Sequence, residues 1–119
     1  MPDQPVELNA VTELFNSLTQ RVMARQMPIA DLFQAAGTLQ SMQQRPLAAE
    51  LYKTWIAYHG DSELLHAVYF NYGVALNDIR DHTGAINAFR ESIRLKPGFE
   101  PSYINLGRAL EDIGQIGAA

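Results

Sequence analysis

The sequence predicts an all-α protein of antiparallel helix hairpins stacked into a short array. Three observations predict it. Apolar residues recur at helical spacing along the chain, and β-branched runs alternating with period two are missing. Breaks come at short intervals, at Pro28, Pro46, Gly60 and Pro97-Gly98. A sequence block also returns: YFNYGVAL from Tyr69 to Leu76 and YINLGRAL from Tyr103 to Leu110 share their Tyr, Asn, Gly, Ala and Leu, 34 residues apart.

The first helix is expected from about Asn9 to Gln26. Val11, Leu14, Phe15, Leu18 and Val22 form one apolar stripe, and Asn9 is the expected N-cap. Glu13 near its start and Arg21 and Arg25 near its end suit the helix dipole, and Pro28 ends the run. A second helix is expected over Ile29–Gln43. A third has Pro46 in its first turn and reaches Tyr58. Gly60 breaks the pattern, and Asp61 or Ser62 is the expected cap of a fourth helix that reaches Asp78. Asp81-His82-Thr83 turns the chain into a fifth helix ending near Lys96, before Pro97-Gly98. Pro101 opens a sixth, expected to stop near Ile113 because Gly114 and Gly117 follow. Connections this short, about 3 to 6 residues, make neighbouring helices antiparallel.

Each repeated residue has a mechanical reason. Gly73, Gly107 and Ala36 are small where two helices of one hairpin cross closely, and Ala48 and Ala85 do the same on the second helix. Tyr69, Tyr72, Leu76, Phe89 and Ile93 fill the space between hairpins, and Pro97 stops a second helix. The middle unit reads Tyr69-x2-Tyr72-Gly73-x2-Leu76, then Ala85-x3-Phe89, then Pro97. This closely resembles the tetratricopeptide repeat, a 34-residue helix-turn-helix unit. An earlier, degenerate unit reads Leu32-x2-Ala35-Ala36-x2-Leu39, then Ala48-x3-Tyr52, with Trp55 after it. Its alanine precedes Ala85 by 37 residues, so three residues are inserted, around Gly60–Leu65.

The resemblance implies a right-handed superhelix of stacked hairpins, an α-α solenoid. The expected division is a tail and capping helix over 1–28, a degenerate unit over 29–65, a unit over 66–99 and a truncated unit over 100–119. The third unit stops where its second helix should begin, at Ala119. Tyr103, Leu106, Leu110 and Ile113 then lack a partner helix. The chain is expected to be a fragment of a longer protein or to have this end covered by another chain, and in either case to self-associate through this exposed C-terminal helix face.

In the repeat family the first helices line a concave groove that holds a protein or peptide. Carried onto this sequence, the groove residues are Phe70, Asn71, Val74, Asn77 and Asp78, then Ile104, Asn105, Arg108, Glu111 and Asp112. Phe33, Gln34, Gly37, Gln40 and Ser41 are the weaker equivalents in the first unit. Asn71 and Asn105 would form a ladder; a side-chain amide there can pair with a peptide backbone without reading its sequence, or can bond neighbouring helices of the fold. Arg108 is the only cation among these positions in the second and third units, which argues against a clamp for a C-terminal carboxylate. The run from Asn87 to Gln115 is also similar to the repeat regions of SPINDLY-type O-linked N-acetylglucosamine transferases. That likeness implies an alternative function: recruiting protein substrates for a glycosyltransferase domain outside this chain.

Composition narrows the remaining classes. The 119 residues carry a formal net charge of −4, without the clustered Lys and Arg that nucleic acid or an anionic membrane would need. No cysteine is present, which removes disulfides, thiolate zinc sites and cysteine nucleophiles. No stretch approaches the roughly 18 apolar residues of a membrane span, and Met1-Pro2-Asp3-Gln4-Pro5 does not read as a secretory signal. A cytoplasmic location is the expectation. Glu63-x2-His66 is one pair where a di-iron bundle needs two such pairs and further carboxylates. Asp78, Asp81 and His82 read as a solvated turn, and His59 has no visible partner. Ser17, Ser41, Ser62, Ser92 and Ser102 lack a nucleophile motif. No catalytic residue, cofactor or metal is therefore expected.

Overall fold

The computed structural model describes residues 4–118. Six helices follow one another: α1 (Gln4–Met23), α2 (Ile29–Ser41), α3 (Arg45–Tyr58), α4 (Leu65–Asp78), α5 (His82–Leu95) and α6 (Glu100–Ala118). No strand occurs among the described residues. Each helix from α2 onward packs on the next, α4 also touches α6, and α1 lies on α3. The array is flat, 45 × 39 × 17 Å, as a row of hairpins should be. It is an all-α array of consecutively packed helices.

The hairpins α2–α3 and α4–α5 turn in the same way. Gln43 and Arg80 adopt left-handed backbone conformations, with φ of 63° and 67°. The next amide reaches back to a carbonyl five residues earlier, Gln44 to Leu39 and Asp81 to Leu76, at 2.8 and 2.9 Å. This closes carbonyls that a helix end leaves unpaired. Arg25 (φ 56°) closes α1 likewise, with Gln26 bonded to Arg21. Asp81 then caps α5, its carboxylate accepting the Gly84 amide at 3.0 Å.

The core follows the repeat. Leu32, Ala36, Leu39, Ala48, Leu51, Val68 and Ala85 are wholly buried. Gly73 is the closest crossing point. A Cβ built there would lie 2.6–2.9 Å from three atoms of the Phe89 ring. Phe89 is itself 1 % exposed, so α4 and α5 approach as closely as they do only because residue 73 has no side chain. Phe89 thus packs on α4 inside its own hairpin, beside Phe70 at 6.0 Å between ring centroids. Phe33 and Tyr52 repeat that pairing in the first hairpin at 6.4 Å. At Gly107 the corresponding space is open, with nothing within 4 Å.

Two buried hydroxyls fix α6. Ser92 Oγ donates to the His66 carbonyl at 2.8 Å and lies 2.7 Å from Ser102 Oγ, linking α4, α5 and α6. At the other end Trp55 is buried and donates its indole N–H to the Met27 carbonyl at 2.8 Å. His59 stacks on it at 4.0 Å, the partner that sequence reading did not find.

Several expected boundaries are corrected. Asn9 is not an N-cap: it lies inside α1, which is described from Gln4. That helix ends at Met23 rather than Gln26, because Arg25 turns left-handed. Neither Asp61 nor Ser62 caps α4, which starts at Leu65 with no side-chain cap at Leu64. The Asp61 carboxylate is held by Arg25 at 3.2 Å, and Ser62 Oγ accepts the Leu64 amide within the loop. The sixth helix runs through Gly114, whose cost of about 1 kcal/mol relative to Ala does not by itself end a helix. Ala119, the expected small residue of the third unit, and Met1, Pro2 and Asp3 lie outside the described residues.

Two stability outcomes follow from this geometry. Gly73→Ala should destabilise by about 1–3 kcal/mol through overpacking against Phe89, although Ala favours helix. Gly107→Ala should stabilise by up to about 1 kcal/mol, since its Cβ meets nothing. Urea unfolding of the two variants checks the opposite signs. Gln43→Gly and Arg80→Gly should each raise stability by up to about 1 kcal/mol, because the left-handed strain they relieve exceeds the added freedom of the unfolded chain. A fall in the unfolding midpoint of both would refute that account.

Candidate functional site

The residues assigned to the groove divide by what they touch. Phe70 is half-buried among aromatic rings: Phe89, and Phe99 edge-on at 5.6 Å. Asn77 Oδ1 pairs with His82 Nδ1 of α5, and its Nδ2 donates to Asp112 of α6 at 3.4 Å. These two residues therefore face the hairpin partner. Val74 is half-buried against the core. Asp78, Ile104, Arg108 and Glu111 are exposed, Ile104 to 57 %.

Asn71 and Asn105 behave alike. Each donates Nδ2 to the carbonyl four residues back on its own helix, Asn71 to Ala67 at 2.9 Å and Asn105 to Pro101 at 3.2 Å. Both amides are thereby held at equivalent places on α4 and α6. One amide hydrogen and the carbonyl oxygen are left for a further partner. In the first unit Phe33 is half-buried against Tyr52, while Gln34, Gly37 and Ser41 are exposed and Gln40 is half-buried.

The larger depressions lie elsewhere. One of about 280 Å³ runs between α3 and the α4–α5 turn, lined by Pro46, Glu50, Lys53, Tyr72, Leu76 and Asp81. Another, of about 270 Å³, continues from Tyr72 and Leu76 onto Gly84 and Ala88 of α5. Burial raises the Tyr72 hydroxyl above its ordinary range, and the carboxylates of Glu50 and Asp81 add to the shift. The sequence marked Tyr72 and Leu76 as filling between hairpins, and its repeat pattern carried no sign of the gap left beside them. A third depression of about 450 Å³ lies beside Trp55 and His59. There the Arg25 guanidinium, hydrogen-bonded to Asp61, holds that carboxyl below its usual range. Among the described residues no group of three or more His, Asp or Glu could hold a metal ion. No described helix is long and apolar enough to cross a membrane.

This row of hairpins, with its 34-residue spacing and its small-residue crossing at Gly73, is the architecture of a helical repeat array. Residues 66–99 match the family model described as the tetratricopeptide repeat, which supports that family for this chain. No curated protein and no solved structure matches the chain. The similarity to SPINDLY-type transferases therefore gains no support.

His66 belongs to the aromatic cluster behind this face, edge-on to Phe99 at 5.0 Å and 8 % exposed. Burial pushes its imidazole below the ordinary range, and Lys96 adds to the shift. The fold therefore favours the neutral ring. This contribution is present above the unfolded value of about 6.5 and is lost as pH falls through the lower folded one. The unfolding midpoint should drop between about pH 7.5 and pH 5. The drop should be smaller in His66→Gln; an identical decline in that variant would exclude His66 as its source.

Proposed function

We propose that this chain is a protein-interaction module that holds a peptide or protein segment along adjacent faces of α4 and α6. The observation that carries the reading is the matched pair Asn71 and Asn105. Both amides are anchored by the same bond to their own helix, and both keep hydrogen-bonding capacity for a ligand backbone. Val74, Asp78 and Arg108 are assigned to the same face. The tetratricopeptide match over 66–99 supports protein or peptide as the ligand class.

Acidic groups outnumber basic ones on these helices, with Asp78, Glu100, Glu111 and Asp112 against Arg108. A segment carrying Lys or Arg fits this balance better than an acidic tail, and its capture should weaken as salt screens the exposed charges. The net charge of −4 likewise disfavours nucleic acid and anionic membrane as ligands.

The test is the double variant Asn71→Ala with Asn105→Ala. Both side chains bond only to their own helices within the fold, so the unfolding midpoint should change little. Capture of partners in a pull-down should fall. An unchanged partner set with a folded variant would overturn the assignment of this face.

A further inference from the structure

We infer that the depression between α3 and the α4–α5 turn is a binding site for a guanidinium group, held between the carboxylates of Glu50 and Asp81 beside the Tyr72 hydroxyl.

Three polar groups from three elements line one space there: Glu50 from α3, Tyr72 from α4, and Asp81 from the turn before α5. Pro46, Leu76 and Ile79 supply apolar walls. The fold leaves each of the three polar groups with capacity to spare. Among the described residues the ion pairs are Arg21–Asp31, Arg25–Asp61 and Arg94–Glu91, and Glu50 joins none of them. Asp81 uses Oδ1 to accept the Gly84 amide and leaves Oδ2 open. Burial raises the Tyr72 hydroxyl above its ordinary range, and Glu50 and then Asp81 raise it further, so both carboxylates act on one oxygen. A cation among them relieves that repulsion and meets two charged acceptors and a neutral one.

The size and walls of the space select the cation. About 280 Å³ falls just under the roughly 300–1,000 Å³ of pockets for whole small molecules, so a side-chain-sized group fits. A guanidinium is planar, more weakly hydrated than an ammonium, and carries its N–H donors in a fixed fork. It can therefore lie against apolar and aromatic surface while meeting several acceptors. A metal ion is disfavoured, since no three His, Asp or Glu come together among the described residues. The larger depression beside Trp55 lacks this character, because Arg25 already holds its Asp61 carboxylate. Lys53 also lines the α3 depression without pairing with either carboxylate, which makes it the fold's own competitor for the site.

The site is separate from the asparagine face. At 3.6 residues per turn, Tyr69, Tyr72 and Leu76 lie on the side of α4 opposite Asn71, Val74 and Asp78. The probe is N-propylguanidinium, an arginine side chain without its backbone, titrated into the whole chain while amide chemical shifts are followed by NMR. The Gly84 amide, bonded to Asp81, is the local reporter. Half-saturation at about 1–10 mM is expected for so small a ligand. Glu50→Gln should weaken binding about threefold or more, and n-butylammonium should bind about threefold more weakly than the guanidinium. Lys53→Met should tighten binding about twofold, by removing the competing charge. Asn71→Ala with Asn105→Ala should leave it unchanged, so failure of the asparagine face and failure of this site are read separately. A blocked Ala-Arg-Ala peptide separates the sources: tighter binding than propylguanidinium supports the site and assigns an arginine of a polypeptide, while weaker or equal binding supports it and assigns a free small cation. Four outcomes overturn the inference: no saturation, shifts reproduced by sodium chloride at equal ionic strength, equal binding of n-butylammonium, or unchanged affinity in Glu50→Gln.

Discussion

The crossing of α4 and α5 at Gly73 sets the spacing of everything around it. Because residue 73 offers no side chain, the Phe89 ring lies directly against the α4 backbone and is almost fully buried. That closeness brings Phe70 onto the same ring and lets the short turn at Ile79–Asp81 close with a left-handed Arg80. It also places Ser92 where its hydroxyl reaches both the His66 carbonyl and Ser102, which orients α6. A single hairpin cannot enclose its apolar side alone, so the neighbouring helices supply the remainder of the core.

Much of this was legible in the residues because close packing leaves few options. A glycine, an alanine and an aromatic at fixed intervals define a helix crossing, and their return after 34 residues defines a row of crossings. What the pattern could not carry was direction. Spacing put Phe70, Asn71, Asn77 and Asp78 together on α4, yet the position of α5 decides that Phe70 and Asn77 face the hairpin. The turns were hidden for a related reason. Left-handed closures usually advertise themselves with glycine, and here Arg25, Gln43 and Arg80 occupy them. Arg25 reaching Asp61 across the fold, and so removing a capping carboxylate from α4, depends on tertiary placement that no local signal records.

The two asparagines are each held by their own helix. Donation to the i−4 carbonyl holds each amide in place, so a ligand would meet groups that need no reordering. Pre-ordering of this kind suits recognition of a backbone, where geometry matters more than side-chain identity. Phe70 and Val74, packed inward beside Asn71, give that part of the face a firm base.

The seating of α1 has a temporal consequence. It rests on α3 rather than joining α2 as a hairpin, so its apolar stripe has no place to settle until the chain through Tyr58 has been made. During synthesis at about 5–20 residues per second, α1 therefore emerges well before the helix that seats it. For that interval Val22 and Leu18 remain open to solvent or to a chaperone.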